Sequence, residues 1–153
     1  MEGRTSLERS YVEQNDRERE RLRALIERLS DDDLRRQVNE YWTVAAVLAH
    51  VAFWDARALW LADKIERGLP FSSSDVEPED VSWINEATRP LIHAIAPREA
   101  ARLALSQAEQ TDRRVASLPP TTMWPRNPES LLNAVRAEHR AEHLDQIEAS
   151  LRR

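Results

Sequence analysis

The sequence predicts an all-α protein, a four-helix bundle that forms a single domain over residues 1–153. Only two residues are glycine, Gly3 and Gly68, which is too few for a turn-rich β-sandwich or a glycine-rich phosphate-binding loop. The chain is instead rich in alanine, leucine, arginine and glutamate, arranged in long amphipathic stretches that favour helix. Four such stretches in a chain of this length predict a bundle around one core.

The first two predicted helices are marked by their ends. The first spans residues 6–29, where apolar side chains recur at helical spacing. Thr43 is the predicted N-cap of the second helix, which continues to about Arg67. Gly68 follows at once and indicates a helix C-cap. A surface loop is expected over residues 69–78, which contain two prolines and three serines.

Prolines divide the rest of the chain. The third predicted helix spans residues 79–95, and a kink or break is expected near Pro90 or Pro97. Pro97 fits the first turn of a continuation that reaches residue 118, before two consecutive prolines end it. The fourth helix is predicted over residues 129–151. Its predicted inward stripe consists of Leu132, Val135, His139, His143, Ile147 and Leu151.

Charge and composition exclude several classes of function. The formal net charge is −5 at pH 7, and the arginines are scattered among acids, so no nucleic-acid partner is expected. Residues 44–62 are apolar, but His50, Asp55 and Arg57 interrupt them and would be costly in mid-bilayer. There is no cysteine, and the N-terminal residues lack the apolar core of a signal peptide. We therefore expect a cytoplasmic protein that binds no membrane.

Three histidines are the strongest functional signal. His139 and His143 are four residues apart, which places them one above the other on the same helical face. His50 follows an apolar stretch of the second helix and points at or near the bundle interior. Three histidines from two helices predict a metal site with open coordination positions. Any one of these histidines taken alone is better explained by a hydrogen bond to a carbonyl or carboxylate, and it is the combination of three that favours a metal. His93 has no such partner four residues away and is expected to be structural or exposed.

Three acids are candidates to accept hydrogen bonds from the outer N–H groups of metal-bound imidazoles. They are Asp55, Glu138 and Glu142, which lie close to the histidines in sequence. The alternative for each is an ordinary surface acid on a solvated helix flank.

Three further residues are candidates to line a substrate pocket. Trp54 and Arg57 share the helical face of His50, and Trp124 lies between prolines in the loop before the fourth helix. The remaining tryptophans, Trp42, Trp60 and Trp83, are expected to anchor the core.

Two motifs carry a family resemblance. The segments Trp42-Thr-Val-x-x-Val-Leu-Ala-His50-Val-Ala-Phe-Trp-Asp55 and Glu138-His-x-x-x-His143-Leu-x-Gln-Ile147 resemble the DinB-like superfamily, which includes the mycothiol-dependent maleylpyruvate isomerases. The resemblance covers nearly the whole chain. It implies a four-helix bundle with a divalent metal held by three residues, here His50, His139 and His143. Zinc or nickel is the favoured ion, and iron or copper also suits three imidazoles.

The predicted function is that of a metal-dependent enzyme of thiol-transferase or isomerase type, acting on a small electrophile. An open-coordinate ion lowers the pKa of a bound thiol or water. Because the chain has no cysteine, the thiol has to be a small molecule such as mycothiol or bacillithiol. Lys64 is the only lysine among 22 basic residues, a bias that fits a bacterial, GC-rich source. The alternatives are metal-assisted hydrolysis and a non-catalytic module whose ion ties helices together.

A homodimer is also predicted. Phe53, Trp54 and Trp60 point in different directions around the second helix, and a bundle interior covers only part of a helix's circumference. A second copy of the chain or the 69–78 loop would cover the rest.

Overall fold

The computed structural model describes residues 9–153, and within that range the chain forms six α-helices and no strand. The start of the first predicted helix, residues 6–8, lies outside the described residues. The helices are α1 (Ser10–Arg28), α2 (Asp31–Arg35), α3 (Val44–Glu66), α4 (Ser82–His93), α5 (Pro97–Ser117) and α6 (Ala137–Leu151).

The four long helices α1, α3, α5 and α6 form the bundle. Helix α3 packs most extensively on α5, and α1 packs on both α5 and α6, while α6 also contacts α3. The short α2 contacts α3 and α5, and α4 lies along α3. The all-α four-helix bundle predicted from the sequence is confirmed.

Helix α3 begins and ends at the predicted residues. The Thr43 hydroxyl accepts a hydrogen bond from the Ala46 N–H at 3.1 Å, which satisfies one of the free N–H groups of the first turn. Gly68 has φ +67°, a conformation that glycine adopts without strain, and it ends the helix. By length and composition α3 is apolar enough to cross a membrane, the one such helix within residues 9–153. However, 67% of its apolar window is buried inside the protein, as in the core helix of a soluble protein.

The expected break near Pro90 or Pro97 is present. Residues 94–96 separate α4 from α5, and Pro97 occupies the first turn of α5, where its missing N–H has no partner to lose. Pro90 lies inside α4, which continues to His93. As a result α5, and not α4, takes the third position in the bundle.

Helix α6 begins at Ala137, eight residues later than the predicted start at residue 129. The segment before it is irregular: the Trp124 N–H donates to the Leu132 carbonyl at 2.8 Å, and the Ala134 N–H donates to the Trp124 carbonyl at 2.9 Å. The Asn133 side chain also accepts from the Val135 N–H at 2.9 Å. Such local side-chain hydrogen bonds compete with helix formation, which explains the error in the prediction.

A side chain from another helix holds the start of α6. Asn15 of α1 is buried, and its Oδ1 accepts from the N–H groups of Arg136 (2.8 Å) and Ala137 (2.9 Å). Its Nδ2 donates to the carbonyl of Ala134 at 2.9 Å. Helix α6 therefore has a tertiary N-terminal cap, which no local sequence pattern reveals.

The predicted inward stripe of the fourth helix is confirmed in part, since Leu132 and Ile147 are buried. Its first two residues, Leu132 and Val135, precede the helix, and the two histidines are only partly buried. The most buried row of side chains lies on a face of α6 that is rotated away from the histidines. The apolar pattern missed this row because it includes an arginine. That row consists of Ala137, Arg140, Leu144, Ile147 and Ser150.

The core consists of two apolar clusters with polar residues between them. One cluster packs around Leu25, Leu48 and Ile147, and the other around Leu61 and Met123. At the level between the clusters, the bundle helices place polar side chains inside. These buried residues are Asn15, His50, Asp55, Thr111, Asp112 and Arg140, and we call this level the polar layer.

Candidate metal centre

The structure brings His50 of α3 together with His139 and His143 of α6. One nitrogen from each ring lies within 4.8 Å of the nitrogens of the other two. The Nε2 atoms of His139 and His143 are 3.2 Å apart, and the His50 ring centroid is 4.8 Å from that of His143. These three residues form the histidine cluster.

Local structure explains this convergence. A spacing of four residues places His139 and His143 on one face of α6, and the packing of α6 on α3 presents that face to His50. His139 lies in the first turn of α6, close to the cap that Asn15 provides. The ring of Trp42 contacts the edge of His50, with centroids 5.6 Å apart.

Two of the three rings, His50 and His139, are neutral at physiological pH. Burial, followed by the neighbouring His143, lowers the pKa of His50 to about 4. Burial lowers the pKa of His139 to about 3, with further contributions from His143, His50 and Arg136 that outweigh the opposing effect of Asp55. Both rings therefore keep a free nitrogen lone pair at neutral pH, which is the state that binds metal.

The donor set fits a divalent transition metal. Three neutral imidazole nitrogens suit zinc, nickel, iron(II) and copper, and three protein ligands leave coordination positions open. His50 is buried while His139 and His143 are half-buried, so a bound ion would face solvent-accessible space. Within residues 9–153 no fourth histidine or acidic residue joins the cluster, which the closed coordination of a structural zinc site would require.

Two clefts meet at the histidine cluster. The smaller has a volume of about 320 Å³, and we call it the polar cleft. Besides His50 and His143, it is lined by Asn39, Trp42, Ser82, Asn85, Glu86 and Gln146. The larger, of about 470 Å³, is the arginine cleft. All three histidines line it, together with Trp54, Arg57, Leu61, Leu132 and Arg136.

Two of the three predicted pocket residues line these clefts. Trp54 and Arg57 line the arginine cleft, and the Arg57 guanidinium donates to the Asp75 carbonyl of the 69–78 loop at 2.8 Å. Trp124 is 45% exposed and is not among the residues that line either cleft. Residues 131–133, from the irregular segment before α6, line the arginine cleft instead.

None of the three candidate acids, Asp55, Glu138 and Glu142, accepts a hydrogen bond from a ring of the histidine cluster in the part of the chain that the structure describes. Asp55 is fully buried, and its two oxygens accept from Arg136 Nε (3.2 Å) and Arg140 Nε (3.1 Å). Within residues 9–153 no imidazole donates to it, because the two guanidinium groups occupy its carboxylate. Glu138 and Glu142 are exposed, and Glu142 reaches the rim of the arginine cleft.

Arg140 is the main buried residue that the sequence pattern missed. It donates to both oxygens of Asp112, at 2.7 and 2.6 Å, and Asp112 also accepts from Arg19 at 2.8 Å. Burial alone would lower the pKa of Arg140, but the hydrogen bonds and charges of Asp112 and Asp55 raise it above its ordinary value. The available signal was its spacing, three or four residues from apolar neighbours on the same face of α6. We call Arg19, Asp55, Asp112, Arg136 and Arg140 the ion network.

The outer ring nitrogens of the two α6 histidines differ. His143 Nδ1 is 2.9 Å from Gln146 Oε1, whereas His139 Nδ1 is buried with no hydrogen-bond partner within residues 9–153. His93 is exposed and its Nδ1 is 2.8 Å from the Arg89 carbonyl, so it lies outside the cluster, as predicted.

The fold and the cluster define a class of protein: an all-α bundle in which three histidines from two helices are placed to hold a metal ion. The chain belongs to the DinB superfamily, whose sequence model matches residues 14–147. That match extends from α1 into α6 and includes all three histidines of the cluster. No curated protein and no solved structure matches the chain.

The other tryptophan predictions need correction. None of the five tryptophans is among the fully buried residues of the described chain, and Trp60 and Trp83 are 57% and 63% exposed. Trp42 is half-buried beside His50 and packs against the apolar cluster around Leu25, Leu48 and Ile147, so its prediction as a core residue is confirmed in part. The core is small-residue and leucine-rich, with many alanines where α3 meets α5, and this close packing leaves little room for large rings.

Proposed function

We propose that this protein is a divalent-metal-dependent enzyme that uses a small-molecule thiol to attack a small electrophile. The observation that carries the proposal is the histidine cluster itself: one nitrogen from each of three imidazoles lies within 4.8 Å of the other two, beside two clefts. A divalent ion held there supplies Lewis acidity, which lowers the pKa of a thiol or water that binds it.

The surroundings of the cluster support a reaction between two small molecules. The polar cleft and the arginine cleft approach the histidines from different sides and share only His50, Asn85 and His143. A nucleophile and an electrophile therefore each have a separate space next to the ion. The chain has no cysteine, so a sulfur nucleophile has to be a second substrate.

Two rival functions use the same residues. In metal-assisted hydrolysis, water replaces the thiol, and one cleft is enough for the substrate. In a non-catalytic module the ion only ties α3 to α6. The open coordination of a three-residue set and the clefts beside it favour an enzyme over that module.

The test begins with untagged protein, because a histidine tag binds metal by itself. Metal analysis should give about one equivalent of a divalent ion per chain. The cobalt(II)-substituted protein is then mixed with mycothiol, bacillithiol or cysteine, and formation of a thiolate-to-cobalt charge-transfer band reports thiol binding. A band with one of these thiols supports the thiol function. Stoichiometric metal without any band would reject the thiol function and leave hydrolysis and the non-catalytic module, and protein that binds no metal would reject all three.

A small-molecule substrate, a cytoplasmic location, the absence of nucleic-acid and membrane partners, and a homodimer complete the proposal. The dimer is supported by the exposed rings of Phe53 (39%), Trp60 and Trp83. Sedimentation at micromolar concentration should give twice the chain mass of 17.7 kDa. A monomer of 17.7 kDa would reject the dimer.

A further inference from the structure

The orientation of the α6 histidines decides which of their nitrogens face a metal ion. The Nε2 atoms of His139 and His143 point at each other, 3.2 Å apart, so these atoms face the centre of the cluster. A neutral imidazole that uses Nε2 as a metal ligand carries its proton on Nδ1. Each outer Nδ1–H then needs an acceptor, which fixes the tautomer and the angle of the ring.

We propose that Gln146 is the positioning residue of the metal site, because it supplies that acceptor for His143. This inference rests on the proposed metal-binding function and names a residue that sets the affinity of the site for the metal. Gln146 Oε1 lies 2.9 Å from His143 Nδ1, which is hydrogen-bond distance. Gln146 follows His143 by three residues on α6, so one helical turn carries both the ligand and its support.

Other groups near the histidine cluster are unavailable for this role. Asp55 is fully buried and already accepts from Arg136 and Arg140. The Nδ1 of His139 has no partner within residues 9–153, so the support is unequal between the two α6 histidines. His143 is therefore the α6 ligand with a fixed ring orientation, and loss of Gln146 removes that fixation.

The amide of Gln146 has a chemical consequence that a carboxylate would not have. A carboxylate acceptor pulls the Nδ1 proton more strongly and makes the imidazole a stronger donor to the ion. A neutral amide fixes the ring while adding no negative charge, so the ion keeps more of its Lewis acidity. Gln146 also lines the polar cleft.

Metal affinity tests this role without any substrate. Zinc and cobalt dissociation constants are measured by competition with a chromophoric chelator for the wild-type chain, Gln146→Leu and Gln146→Glu. Gln146→Leu replaces the amide with an apolar side chain of similar size that has no hydrogen-bond acceptor. We expect its affinity for the metal to fall about 10- to 100-fold. Gln146→Glu keeps an acceptor, and we expect affinity at least equal to wild type together with a shifted cobalt absorption spectrum.

Gln110→Leu is the matched control, since Gln110 is also exposed and lies on a different helix, α5, outside the histidine cluster. It should bind metal like the wild-type chain, and circular dichroism should show all four proteins equally helical. If the wild-type chain binds metal and Gln146→Leu binds it with the same affinity, the role of Gln146 is overturned but the proposed function is not. Equal losses in Gln146→Leu and Gln146→Glu would also overturn that role, by showing that shape and not the acceptor matters. A wild-type chain that binds no metal would overturn both the inference and the proposed function.

Discussion

Two groups of polar residues in and beside the polar layer differ in how completely their members form hydrogen bonds and ion pairs with one another. In the ion network, Arg140 and Asp112 form a bidentate pair, and Asp55 accepts from two arginines. In the histidine cluster the three rings face each other, and the charge of Asp55 does not outweigh the effects that lower the pKa of His139. The first group is complete without any added molecule, whereas the second is not.

This difference separates structure from function within one layer of the bundle. A buried charge is tolerated when it is paired and hydrogen-bonded, which is what the ion network achieves. Buried imidazoles that face each other gain little from the arrangement, as the lowered pKa values of His50 and His139 show. Their nitrogens are therefore better explained by a ligand that binds all three than by a contribution to folding.

The largest expected effect comes from truncating the histidine cluster. His139→Ala and His143→Ala should each abolish stoichiometric metal binding, because two imidazoles hold a divalent ion far less tightly than three. The proteins should remain helical, since neither residue belongs to the apolar clusters of the core. Metal analysis and circular dichroism check the two halves of this prediction. His93→Ala is the control and should bind metal normally.

If the wild-type chain unfolds when a chelator removes its metal, the assignment of a functional and not a structural role to the histidine cluster is contradicted. Such unfolding would show that the ion is structural, as in small zinc domains that are unfolded without metal.

The next largest effect should come from the ion network. Arg140→Leu leaves Asp55 and Asp112 buried with fewer partners, and we expect the free energy of unfolding to fall by about 3–5 kcal/mol. Urea denaturation of the metal-free protein measures this loss. Arg102→Leu removes an exposed arginine that pairs with Glu99 on the same helix, and it should change stability by less than about 1 kcal/mol. Similar losses in the two variants would show that the buried network is not the special feature that we infer.

A smaller effect is expected at Asn15, which connects the two groups by holding the start of α6. Asn15→Leu leaves the N–H groups of Arg136 and Ala137 without their acceptor, and we expect a loss of about 2–3 kcal/mol in urea denaturation. Metal affinity should also weaken, because His139 lies in the turn that Asn15 caps. Gln14→Leu, at the exposed neighbouring position, is the control and should affect neither property. If Asn15→Leu is destabilised but binds metal with normal affinity, the cap that Asn15 provides does not contribute to metal binding.

The sequence by itself determined the helical class, the limits of α3 and the identity of the three histidines. Helical periodicity is local, and so are the Thr43 cap and the Gly68 stop, so these features are readable without the fold. The four-residue spacing of His139 and His143 is also a local property of α6.

Only the tertiary structure decided the partners within the polar layer. Whether Asp55 serves an imidazole or a guanidinium depends on which side chain of α6 reaches it, and Arg140 does so because its row, and not the histidine row, faces the interior. The start of α6 depends on Asn15, which is more than a hundred residues away in sequence. Contacts between distant segments follow from how the helices pack, and periodicity along one helix carries no record of them.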